Sequence, residues 1–217
     1  MRHRLMGSVA GLAAVAMVVA GCSSGDGGSE TLAPATAATA SGSGSSDPSS
    51  GSDGSRTEHG APKVSDPLDA SKYLTQPCSV LTTAQAQSFS QSNPGEPDVD
   101  SALARGVGPG CDWGGETLNE EFRVGFLSGN KKGLDDTYRG KAQYDAYFEE
   151  TSVDGYPAVF SAATDARDRG ECSVTTGISD SMAFHITWQG RLKGQASCDR
   201  AKEVASAVIQ TIKGGAS

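Results

Sequence analysis

Four cysteines spread through the last two thirds of the chain, Cys78, Cys111, Cys172 and Cys198, constrain its fold more than any other feature. Their spacings of 33, 61 and 26 residues contain no C-x-x-C pair, which argues against a zinc site. In an exported protein an even set of thiols reads as disulfides, whereas in a reducing compartment it would not. The fold question therefore turns first on whether the chain leaves the cytoplasm.

The N-terminus answers it. Met1-Arg2-His3-Arg4 is a short basic head, and Leu5 to Ala20 is uncharged and built mostly from Ala, Val, Leu, Met and Gly. That is the order of a secretory signal, a charged region followed by an apolar one. A membrane-spanning helix needs ~20 apolar residues. This stretch is shorter and is diluted by Gly7, Ser8 and Gly11. It ends in Val19-Ala20-Gly21-Cys22, which resembles a bacterial lipobox, where the cysteine after small residues is acylated and becomes the new N-terminus. Residues 1–21 are thus expected to be a lipoprotein signal peptide, with Cys22 the lipidated residue. Two acyl chains hold a protein on a membrane stably where one does not. The expected location is the outer face of the cytoplasmic membrane, reached through this N-terminal lipid. Ordinary secretory cleavage, with Cys22 left for a disulfide, is the alternative.

With Cys22 an anchor, the five cysteines divide into one and four. The formal charge of −8 becomes 16 − 26 = −10 once Arg2 and Arg4 are removed. An acidic chain lacks the basic footprint that displaces counterions from phosphates, so nucleic acid is excluded as a partner. Electrostatic docking on anionic lipid is disfavoured for the same reason.

Ser23 to Pro62 holds 11 Ser, 8 Gly, 6 Ala, 4 Thr and 3 Pro in 40 residues, with Leu32 its single large aliphatic side chain. Such a segment buries too little apolar surface to offset the entropy of ordering it. Residues 22–66 are read as the lipidated cysteine and a disordered tether, with a root-mean-square reach of ~35 Å. Residues 67–213 are read as a single globular domain and 214–217 as a tail. A domain of that length buries ~70% of its unfolded surface.

Within the domain, Thr82-Thr83-Ala84-Gln85 carries a capping box, and the helix it starts should run to about Ser90, before Asn93-Pro94-Gly95. Pro97 to Gly110 reads as an exposed loop. Cys111 to Trp113 and Phe122 to Phe126 read as strands, the latter with Phe122, Val124 and Phe126 on one face. Leu134 to Glu150 reads as a helix with Leu134, Tyr138 and Phe148 inward, and Val153 to Phe160 as a strand broken by Gly155 and Pro157. Cys172 to Ile178 and Met182 to Trp188 alternate as a hairpin around Ser179-Asp180-Ser181. Val204, Ala205, Val208, Ile209 and Ile212 form the stripe of a terminal helix. The order predicts an α+β fold of two layers, an antiparallel sheet with helices on one face, made of two loosely similar αββ-type halves.

Four cysteines allow three pairings. Cys78–Cys111 with Cys172–Cys198 is favoured, because each joins a helix start to a strand start within one half. Closing each loop contributes ~3 kcal/mol in the chain-entropy model.

At this point the sequence resembles a family. Pro77-Cys78-Ser79-Val80-Leu81-Thr82, Cys111-Asp112-Trp113, Val153-Asp154-Gly155-Tyr156-Pro157-Ala158, Cys172-Ser173-Val174 and Cys198 ahead of an Ala/Val-rich helix fall in order. In that order, and behind the lipobox, they are similar to the landmarks of the domain of unknown function 3558 family of actinobacterial lipoproteins. The resemblance covers Pro77 to Ile212. It implies an envelope lipoprotein and disulfides, and brings no catalytic residues with it.

Chemistry is sparse. His3 leaves with the signal and His59 falls in the tether, so His185 is the one histidine of the expected domain, on the strand face opposite the apolar residues. No G-x-S-x-G elbow offers it a nucleophile. Of the acidic pairs Glu120-Glu121, Asp135-Asp136 and Glu149-Glu150, the second suits a helix start by the macrodipole. Gly106-Val107-Gly108-Pro109-Gly110 is no phosphate loop, since no G-K-[ST] follows. No catalytic residue, metal site or cofactor is predicted. Tyr144 and Tyr147, with the Pro97–Gly110 loop, are the candidate binding surface for an envelope protein, a lipid or a glycan. The expected function is a non-catalytic binding or interaction module. The alternative is an extracytoplasmic hydrolase using carboxylates such as Asp112 or Asp154.

Overall fold

A computed structural model describes residues 55–115 and 118–214. Residues 1–54, which include the expected signal peptide and Cys22, and residues 116–117 and 215–217 lie outside the described residues. Seven strands form one antiparallel sheet: β1 (Glu96–Asp98), β2 (Gly110–Gly115), β3 (Leu118–Phe126), β4 (Tyr147–Val153), β5 (Tyr156–Ala162), β6 (Glu171–Ser179) and β7 (Met182–Gln189). Their order across the sheet is β1-β2-β3-β7-β6-β5-β4, so the first three strands and the last four meet where β3 pairs with β7. The helices are α1 (Thr83–Ser88), α2 (Ala102–Gly106), α3 (Leu134–Arg139) and α4 (Gln195–Gly214). The fold is α+β, as the alternating strands predicted, with three and four strands in its two halves rather than matched pairs.

One face of the sheet is the core. Alternate residues of the central strands, Phe122, Val124 and Phe126, Phe184, Ile186 and Trp188, Cys172, Val174 and Ile178, all bury there. Facing them, α4 buries Ala201, Val204, Ala205, Val208, Ile209 and Ile212. Register places Trp113 opposite Phe122 and Phe122 opposite Trp188, and the rings stack at 5.1 and 5.8 Å between centroids. Such aromatic pairs add about 1 kcal/mol each beyond their buried area. Both expected disulfides are present. Cys78–Cys111 ties the 3-10 turn Pro77–Val80 to β2, with Cα atoms 5.0 Å apart, and Cys172–Cys198 ties β6 to α4 at 4.9 Å.

The capping box forms as expected: Gln85 N–H donates to Thr82 Oγ1 at 3.2 Å and Thr82 N–H to Gln85 Oε1 at 2.7 Å. Elsewhere the chain departs from the expectation. The helix read over Leu134 to Glu150 stops at Arg139, a short 3-10 turn (Lys141–Gln143) follows, and its last four residues belong to β4. Asp154-Gly155 explains this, with φ of 49° and 86° at the two turn positions between Val153 and Tyr156. A two-residue turn with positive φ at both places matches strand twist and forces a hairpin. Pro157 is tolerated because β6 pairs only with Ala158 to Phe160, so its missing N–H removes no bond on that side. The expected loop Pro97–Gly110 contains β1 and α2, the latter capped by Ser101, which accepts from Ala104 N–H at 3.1 Å.

The helices do not all share one face. Gly177 on β6 has its Cα directed away from the core, and a Cβ there would lie 3.0 Å from Leu134 Cβ of α3. Together with Ala61, Tyr138, Val159 and Phe148, Leu134 forms a small second cluster on the other side of the sheet. Ala61 comes from the segment expected to be tether, so the ordered chain begins earlier than the Asp66-Pro67 boundary. Arg56 pairs with Pro62 to close a small loop, and Arg56 reaches Glu150 with two bonds of 3.2 Å. Asp135 accepts from Thr57 Oγ1, from His59 N–H at 2.8 Å and from His59 Nδ1 at 2.7 Å. The reading of His59 as a tether residue is thus corrected. Asp135, for its part, is 2% exposed rather than solvated helix-end surface. Burial acts to raise its carboxyl, but the bonds from Thr57 and His59 together outweigh it and hold it below the usual carboxylate range.

Candidate functional site: a polar cleft on the open sheet face

The second cluster covers only β4 to β6, which leaves the same face of β1, β2, β3 and β7 open. Strand register lines up its side chains in rows. Glu96, Asp112, Arg123, Thr187 and Ser173 stand opposite one another across five strands. The next row is Asp98, Gly110, Gly125, His185 and Thr175. Two adjacent glycines in that row make a hollow, and Arg123 lies across it. A Cβ at Gly110 would come within 2.7 Å of Arg123 Nη2. Without that glycine the guanidinium would not reach Asp98, whose Oδ2 accepts from Nη2 at 2.9 Å while Asp112 Oδ2 accepts from Nη1.

Over the first row, on the side of Arg123 away from this hollow, is a cleft of about 460 Å³, lined by Glu96, Asp112, Glu121, Arg123, Thr187 and Gln189, with Asn93, Gly95 and Gly114 at its side. Trp113 and Phe122 back it from within the core and are almost wholly buried. The carboxylates differ in character. A bond from Ser101, helped by Arg123, holds Asp98 below the usual carboxylate range. Asp112 is pushed up by burial and by Asp98 and Glu96, with Arg123 opposing.

His185 is on the face predicted for it, in the second row beside Gly125. Its Nδ1 is 2.9 Å from Thr175 Oγ1 and its Nε2 3.2 Å from Thr187 Oγ1. Burial, with Arg123 nearby, lowers its pKa to about 4. A ring that stays neutral until well below pH 6 and has both nitrogens engaged is poorly suited to take a proton near neutrality. The linkage sign follows. The unfolded imidazole binds a proton near pH 6.5 and the folded one does not, so stability is full above 6.5 and falls as pH drops towards 4. The full loss is on the order of 3 kcal/mol. Thermal melting of the His185→Gln variant over that window should show a flatter pH dependence than the parent protein.

The other expected site residues are not brought together. Tyr147 is buried in the main core, its hydroxyl 3.9 Å from Cys172 Sγ and its ring under the Arg167 guanidinium at 4.0 Å. Tyr144 packs against Phe148, which belongs to the second cluster on the other face. They line no common groove, because Tyr147 and Phe148 are successive residues of a strand and point to opposite sides. Asp154 sits in the β4–β5 turn and accepts from Ser206 Oγ of α4 at 2.7 Å, and it does not line the cleft with Asp112. Glu58, His59 and Asp135 each bring one possible metal-ligand atom within 4.8 Å of the others. Their polar atoms are already used, Glu58 by Lys132 and His59 by Asp135. Sequence patterning does not by itself single out Arg123, Thr187 and Gln189, and it offers Glu121 only as half of the pair Glu120-Glu121. The signal for them is the polar half of the alternation in β3 and β7.

The model of the family described as protein of unknown function (DUF3558) matches residues 17–211. The chain belongs to that family. For this DUF3558 member no curated protein and no solved structure gives a match. The family match begins ahead of Cys22 and ends within α4, so it spans Val19-Ala20-Gly21-Cys22, all four core cysteines and every strand of the sheet.

Proposed function

We propose that the protein is a lipid-anchored module of the cell envelope that binds a ligand in the cleft on the open sheet face and does not turn it over. The cleft carries this reading. It gathers acceptors from four strands around one guanidinium, the pattern of a pocket with few convergent polar groups. Its one basic group is engaged by Asp98 and Asp112, and the histidine of the second row is tied to two threonines, an arrangement that positions rather than transfers protons. Carboxylates, amides and a hydroxyl suit a hydroxyl-rich ligand such as a glycan better than an acyl chain. The basic head, the apolar run and the small residues before Cys22 support export and lipidation, and two disulfides suit an oxidising compartment.

Growth with a labelled fatty acid tests the anchor. Label is expected on the protein and is expected to vanish in Cys22→Ala, and label persisting in that variant would contradict lipidation. The hydrolase alternative makes its own demand: glycan turnover by the purified protein, abolished by Asp112→Asn, would replace binding with catalysis.

A further inference from the structure

The segment that follows β1 presents an apolar stripe separate from the cleft. Val99, Leu103 and Val107 are 49%, 51% and 41% exposed, and among the described residues the only other large hydrophobic side chain so exposed is Leu192. Leu103 lies in α2 and Val107 caps its C-terminal end four residues on, the spacing that aligns side chains along one side of a helix, while Val99 precedes the Ser101 cap in the bend after β1. The stripe is held rigidly. Ala104 is buried beneath it, Val107 N–H donates to Leu103 O at 2.8 Å, and Gly129 N–H donates to Val107 O at 2.9 Å. Ser101, the cap of α2, donates to Asp98 Oδ2 at 2.8 Å, so the stripe is fixed to the same aspartate that takes Arg123.

Charge decides what can cover it. Residues 96–107 carry Glu96, Asp98 and Asp100 against Arg105 alone. The chain's own residues 23–54 cannot serve, with four acidic side chains, no basic one, and Leu32 as the single large aliphatic. A second copy would set the same acids against each other, and an anionic bilayer would be repelled.

We propose that this stripe docks another envelope protein, through a segment of that partner carrying apolar residues at helical spacing beside lysine or arginine. Leucine or valine knobs of the partner would cover Val99, Leu103 and Val107, while its cations meet Asp100. Apolar anchors of this kind supply most of an interface's energy and the flanking charges its orientation and rate. The surface does not depend on the cleft, and its test is separate.

The test titrates the full mature chain into a labelled helical peptide of leucine and lysine. A peptide of the same pattern in leucine and glutamate serves as control. The basic peptide is expected to bind and to weaken as salt rises. Leu103→Ser with Val107→Ser should weaken it about tenfold, at unchanged melting temperature, and Leu192→Ser should leave it unchanged. Equal binding of the two peptides, or equal binding to both serine variants, would overturn the proposal. Self-association of the chain, or binding to phosphatidylglycerol vesicles, that is lost in the Leu103/Val107 variant would likewise overturn it, in favour of a second copy or a membrane.

Discussion

Gly170→Ala is expected to destabilise the domain by about 3–5 kcal/mol, lowering its melting temperature by roughly 10 °C. Gly170 ends the short 3-10 turn Arg167–Arg169 with φ 88° and ψ 14°, a left-handed conformation that an L side chain adopts only at a cost. Lack of space costs more than the conformation does. A Cβ would lie 1.9 Å from Gly190 O and 2.9 Å from Leu192 O, because the turn before β6 and the loop after β7 pass in contact there. Gly190 N–H donates to Gly170 O at 3.0 Å across the same crossing, so neither strand of backbone can retreat without breaking it. Gly155 separates conformation from crowding. It has φ 86°, but a Cβ would meet nothing within 4 Å. Gly155→Ala therefore carries only the conformational cost, about 1–2 kcal/mol. Thermal or denaturant unfolding of the two variants side by side measures the difference. Equal losses would mean that the backbone crossing is looser than described.

Replacing Cys172 and Cys198 together by alanine should cost about 4 kcal/mol, most of it the closure entropy of the 26-residue loop in the chain-entropy model. Both residues are 1% exposed, so the deleted sulfurs also leave unfilled volume between β6 and α4. Because α4 is the principal helix over the core face, loosening its first turn exposes the sheet centre around Trp188. The expected readout is a fall of roughly 10 °C in melting temperature. Tryptophan emission should begin to shift at lower denaturant. A double variant as stable as the parent would show that packing of Val204, Val208 and Ile209 alone holds the helix.

These two effects depend on different kinds of information, and only one is readable from sequence. The cysteine pairing, the Thr82/Gln85 cap, the hairpin at Asp180-Ser181 and the stripe of α4 each follow from residues whose spacing has one physical meaning. So does the side of the sheet on which His185 lies. The crossing of Gly170 and Gly190 has no such signal, since it arises from where two loops meet. Strand β4 reads as helix because Phe148 extends the inward stripe of Leu134 and Tyr138 across a stretch with no Pro and only Gly140, and the Asp154-Gly155 turn that decides the matter looks from sequence like a break within a strand. The docking of Thr57 and His59 onto Asp135 is hidden by composition: a Ser/Gly/Ala-rich stretch reads as tether until a buried carboxylate collects its donors. The cleft is legible only by halves. Asp112 stands out as a carboxylate, but its alignment with Arg123 and Thr187 depends on strand order, and the chain brings β3 beside β7 across a long separation in sequence.

If the open sheet face is a binding surface, a ligand should travel with the protein. Native mass spectrometry of the full chain, purified gently from the cells that make it, tests this most directly when Gln189→Trp is measured beside the parent. Gln189 is exposed at the cleft wall, so an indole there fills the space without entering the core. The expected result is a bound small molecule on the parent protein that is missing from Gln189→Trp at unchanged melting temperature. A parent protein that carries nothing, or the same adduct retained by both, would contradict a binding role for this cleft.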